Sequence, residues 1–156
     1  MTIIFYIDIH NIIERYINLN YNYYSGNTMT ENSEYALDEL FVNEEEISNE
    51  LLKEILVDYV KLSAEGKIFL LPEFNALDRH NKILVVLLAK KVLKIKTGAR
   101  ETASPKDVIE VTGLPRGTVA PTLRGLQKEG FVTSSNGQYT IPTYAIYKIK
   151  ERFTTK

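Results

Sequence analysis

With 156 residues, 44% of them apolar, the chain can bury one real core, and its lack of cysteine excludes disulfides and thiolate metal sites. The two histidines lie far apart, and no apolar run reaches the ~18 residues of a membrane span, so no metal, cofactor or membrane anchor is expected and the expected location is cytoplasmic. The net charge of −1 hides a split: Met1 to His80 holds 15 acidic and 5 basic residues, Asn81 to Lys156 holds 5 and 14, and such a basic half either serves a polyanionic partner or neutralises the acidic half.

The first residues are dense in Ile, Asn and Tyr, as in N-L-N-Y-N-Y-Y at Asn18 to Tyr24. Met29 then opens M-T-E-N-S-E like a protein start. Residues 1–28 are therefore read as a misassigned start or disordered tail, against an amphipathic helix around Ile12 to Ile17. Asp8, Glu14 and Arg15 exclude a signal peptide there. Residues 29–46 are acidic and expected to be mobile. The run Glu44 to Glu46 is a weak divalent-cation candidate or, more plainly, a solvated acidic segment.

Residues 47–77 form an N-terminal subregion. Ile47, Leu51 and Ile55 recur at helical spacing. V-D-Y-V-K-L then alternates, a turn follows at Ser63 to Gly66, and K-I-F-L-L reads as a second strand. A β-hairpin over Val57 to Leu71 is expected, with a helix continued through Leu62 as the alternative. Phe74 and Leu77 sit on a helical turn after Pro72. His80 to Ile95 is apolar nearly all round, which predicts a central helix stopped by Gly98.

Residues 78–156 carry the informative pattern. Ser104 is a good N-cap, Pro105 suits the first helical position, and Asp107 adds negative charge to the first turn. Gly113 can end that helix in the left-handed conformation, and Pro115 opens the next. Val119, Leu123 and Leu126 define a buried face at i, i+4 and i+7. Gly117, Pro121, Arg124 and Lys128 point outward, with Arg116 near the start. Gly130 closes the helix. Phe131 begins a strand, and Gln138 begins another beyond Asn136-Gly137, a strong hairpin turn.

Helix, turn, helix and hairpin over about His80 to Ile141, roughly two-fifths of the chain, resembles the winged helix-turn-helix superfamily, particularly small archaeal DNA-binding proteins and transcription regulators. The residues that carry it are S-P-K-D-V-I-E-V-T-G-L-P-R-G-T-V, L-R-G-L-Q-K-E-G-F-V and the N-G hairpin. The resemblance implies an α+β, mostly helical winged-helix fold, to which the N-terminal helix and hairpin read from the residue pattern are added. It also implies double-stranded DNA as partner. Pro115 to Glu129 would be the recognition helix, with Arg116, Thr118 and Thr122 near base edges, Gly117 also on the DNA-binding side, and Arg124 and Lys128 on phosphates. Ser135 and Asn136 would contact phosphates from the wing. The chain departs from the pattern twice. Pro121 falls inside the recognition helix, so that helix either kinks or begins at Pro121. The wing, Phe131 to Tyr147, has no Lys or Arg. Modest sequence specificity follows.

After Pro142, Tyr144, Ile146 and Tyr147 are expected to share faces with Ile149 and Phe153, either against the chain's own core or in a homodimer. The rival function is a protein-interaction module on a winged-helix scaffold, with a partner engaged through the acidic half. No glycine-rich phosphate loop or nucleophile motif is found, and no carboxylate pair beyond Glu44 to Glu46, so no enzyme is expected.

Overall fold

Helix α1 spans Glu44–Leu56 and starts with acidic residues, which are favoured at the positive end of a helix. The computed structural model describes residues 43–154, so the readings of 1–28 and of 29–42 lie outside the described residues. The expectation of a mobile segment through 46 is corrected at its end, because Glu44 is already helical. Leu52, Ile55 and Leu56 turn inward from α1.

The expected hairpin forms, but three residues later than the alternation implied. The Val57 amide still donates to the Lys53 carbonyl at 2.9 Å, in the helical manner. Residues 57–59 are spent leaving the helix, and the alternative of a helix through Leu62 does not hold. Strands β1 (Val60–Leu62) and β2 (Ile68–Leu70) then pair antiparallel, with Lys61 opposite Phe69. A 3-10 turn at Pro72–Ala76 drops Phe74 into the core.

Helix α2 spans Arg79–Thr97. The Asp78 side chain caps it by accepting from the His80 and Asn81 amides at 2.8 and 2.9 Å. Every residue from Ile83 to Ala89 is buried, as a central helix requires. Gly98, at φ 74°, ends it.

Helices α3 (Pro105–Thr112) and α4 (Arg116–Lys128) pack on α2 and on each other. A second hairpin follows, β3 (Thr133–Ser135) and β4 (Gln138–Thr140). Asn136 and Gly137 both take positive φ, 51° and 73°, the signature of a type I′ turn. Phe131 and Val132, read as the start of the strand, instead lie buried just ahead of it. Ala103 pairs with Tyr139 through reciprocal backbone bonds of 2.9 and 2.8 Å. That bridge adds a third extended segment to the hairpin.

Helix α5 (Ala145–Thr154) packs against α1. Ala145, Ile146 and Ile149 are buried, and the Phe153 ring lies 5.7 Å from that of Tyr59. The face assignment is corrected for two residues: Tyr144 and Tyr147 are 68% and 50% exposed. The described chain is thus α+β and mostly helical, with two small antiparallel hairpins. Among the described residues no helix is long and apolar enough to cross a membrane.

Candidate nucleic-acid interface

Local chemistry sets where α3 and α4 begin and end. Ser104 and Asp107 form a reciprocal capping box: the Asp107 amide donates to Ser104 Oγ at 3.2 Å, and the Ser104 amide to Asp107 Oδ2 at 2.8 Å. The Ser104 amide bond is the main cause that holds the Asp107 carboxyl below its ordinary value. Burial opposes it, while the Ser104 side chain, Lys90 and Arg100 reinforce it. Arg100 reaches the same carboxylate at 3.0 Å. Gly113, at φ 68°, stops α3, and the Leu114 amide donates to Thr112 Oγ1 at 3.2 Å. The Pro115 carbonyl then accepts from the Thr118 and Val119 amides, which starts α4.

Helix α4 begins at Arg116 and remains helical through Pro121, so the alternative start at Pro121 is overturned. Proline has no amide proton to give the Gly117 carbonyl. Gly117 is exposed, so solvent can hydrate that oxygen. At the other end Gly130, at φ 76°, lets the Phe131 amide fold back on the Leu126 carbonyl at 2.9 Å.

The sequence-predicted residues separate into three groups. Gly117, Arg124 and Lys128 are exposed opposite the buried Val119, Leu123 and Leu126, and Arg116 is exposed at the first residue of the helix, two turns before Leu123. Among the described residues, no carboxylate lies in ion-pair range of Arg116, Arg124 or Lys128. Ser135 and Asn136 are exposed on the second hairpin. Thr118 is half-buried, and Thr122 is corrected outright as a base-edge candidate. It is only 6% exposed, and its hydroxyl donates to the Thr118 carbonyl at 2.8 Å. Three residues beyond Val119, it belongs to the buried stripe, and that i+3 spacing was the signal to use. Lys106, exposed in the first turn of α3, is a cation of the same half that the residue pattern did not single out.

The hairpin is held by polar bonds no motif announces. Lys91 Nζ donates to Glu101 Oε1 at 2.9 Å and to the Ile141 carbonyl at 3.1 Å, and Thr140 Oγ1 donates to the same Glu101 oxygen at 2.9 Å. Burial works against an ionised Glu101. The Lys91 and Thr140 bonds, with the charges of Lys91 and Lys94, still hold its carboxyl below the ordinary value. Thr102 Oγ1 also reaches Gln138 Oε1, at 3.4 Å. The β3–β4 hairpin is therefore anchored to the C-terminal half of α2 and to the α2–α3 connection.

Among the described residues no three His, Asp or Glu side chains gather into a metal-binding group. No family model, curated protein or solved structure matches the chain.

Proposed function

We propose that this protein binds double-stranded DNA as a winged helix-turn-helix, with α4 as the recognition helix and β3–β4 as the wing, and acts in transcription regulation with modest sequence specificity. The observation that carries the reading is the outward face of α4. Arg124 and Lys128 stand exposed there, and Arg116 at the start of the helix, all without an ion-pair partner among the described residues. Unpaired cations along one helix can displace the counterions of a phosphate backbone without first breaking internal bonds. The capped turn between α3 and α4 and the Ala103–Tyr139 bridge support the reading, because they fix helix pair and hairpin as one frame. Arg116 lies in the first turn of α4, where a groove-entering helix meets base edges. The small Gly117 and the short Ala120 and Pro121 leave little reach for further base contacts, which supports modest specificity.

Affinity of the full chain for duplex DNA over a salt series tests this. Arg124→Ala and Lys128→Ala should each lower the slope of log affinity against log salt by about 0.9, equally for specific and random duplexes. Arg116→Ala should instead reduce the preference for the specific site by about 1–3 kcal/mol. If the double change Arg124→Ala, Lys128→Ala leaves affinity and slope untouched in a folded protein, α4 does not face DNA.

A further inference from the structure

Away from α4, an open groove of ≈ 490 Å³ runs between α1, β1 and the C-terminal half of α2. No residue of α3, α4 or the β3–β4 hairpin lines it. Its floor is apolar, with buried Leu52, Leu56 and Val60. Val57 and Ile95 also line it and are 44% and 48% exposed, so apolar surface there still faces solvent. The charged lining is of one sign: Lys53, Lys61 and Lys96, all exposed, with no Asp or Glu among the lining residues. The nearby Glu54 is drawn off to Lys150 of α5 by an ion pair.

We propose that this groove docks an acidic amphipathic helix of a protein partner. A phosphate backbone would satisfy the lysines but leave Val57 and Ile95 wet. An apolar helix without acids would cover the floor but leave the lysines unmatched. A helix with apolar residues at i, i+3, i+4 and i+7 and carboxylates on its flanks meets both demands. Packing against α1 and α2, it would become the third helix of a local bundle. The groove shares no residue with the DNA-facing side of α4, so both sites can be filled at once, and the protein can tether an acidic partner to its DNA site.

The test is an NMR titration of the full chain with labelled Val, Leu and Ile methyls. The probe is a synthetic helical peptide of about four turns, with Leu at i, i+3, i+4 and i+7 and Glu at the flanking positions. Saturable shifts are expected at Val57, Leu62, Val92 and Ile95. Lys53→Glu with Lys96→Glu should weaken binding about tenfold or more, because like charges then meet across the rim. Both lysines are exposed, and a melting curve of the variant checks that the fold is kept. A peptide with Ser in place of Leu should leave these methyls unmoved. Lack of saturation, equal shifts from the Ser peptide, or unchanged affinity in the Lys variant overturns the proposal. So does a random DNA duplex that moves the same methyls, since the lysine rim would then belong to a nucleic-acid surface. Arg124→Ala with Lys128→Ala should reduce DNA binding and spare peptide binding, so the two sites fail separately.

Discussion

Arg124 and Lys128 stand four residues apart on α4, and Lys148 and Arg152 stand four apart on α5. The chemistry is alike and the surroundings are not. On α4 both cations are exposed, with no carboxylate of the described residues in reach. On α5 Lys148 Nζ lies 4.5 Å from the centre of the Phe131 ring and donates to the Glu129 carbonyl. Arg152 lies 5.5 Å from the same ring, and its Nε donates to Asn81 Oδ1 at 2.8 Å. Glu129 Oε2 is a further 3.8 Å neighbour. The α5 pair therefore clamps the end of α4 and the start of α2. Helical spacing tells which side chains share a face, but what that face meets is decided by packing.

Removing one jaw of the clamp should have the largest effect. Asn81 is 3% exposed, and in Arg152→Ala its Oδ1 loses the donor shown here. The cost should be about 1–3 kcal/mol in a denaturant melt, with the DNA salt slope unchanged. A stability equal to the parent would place Arg152 with the α4 cations, as a surface charge.

Acid should strain the anchored hairpin before it touches the α4 face. The folded Glu101 carboxyl lies below its ordinary value of 4.5, so the unfolded chain takes up protons first as pH falls. The stability Glu101 contributes is present above pH 4.5 and is lost as pH drops through its lower folded value; Asp107 follows the same sign from 3.8 downward. Glu101→Gln should be less stable at neutral pH and should show a shallower loss over the acid range. Parallel stability–pH curves for variant and parent would show that the Lys91–Glu101–Thr140 bonds add nothing.

The smallest stability effect belongs to the α4 pair. Arg124→Ala or Lys128→Ala should shift stability by no more than about 0.5 kcal/mol, as for other exposed side chains. A loss near that of Arg152→Ala would erase the contrast, and would mean that these cations also hold the fold.

Much of the frame was legible from residues within four positions of one another. The Ser104 cap, the Gly98 and Gly113 stops, the Asn136-Gly137 turn and the buried Val119, Leu123 and Leu126 all follow from backbone conformation and helical period, which act locally. So do the exposed positions of Arg124 and Lys128, whereas Arg116 is exposed because it starts the helix. Thr122 was legible too, three residues after Val119, but a hydroxyl reads as polar until it is seen returning to the Thr118 carbonyl.

Other features needed the assembled chain. The first strand starts at Val60 because α1 has to unwind before its neighbour can pair, which alternation alone does not reveal. Tyr144 and Tyr147 face outward because Ala145, Ile146 and Ile149 supply the side of α5 that meets the core. Lys148 and Arg152 find partners 19 and 71 residues away, and Lys91 reaches the Ile141 carbonyl across 50. The groove beside α1 exists only once α1, β1 and α2 stand side by side. The sequence determined the ends of α2 and α3 and the tight Asn136-Gly137 turn, because those depend on short-range sterics and hydrogen bonds. Which cations became clamps and which stayed open to solvent was decided by tertiary packing, because a charge takes the partner that the fold brings near it.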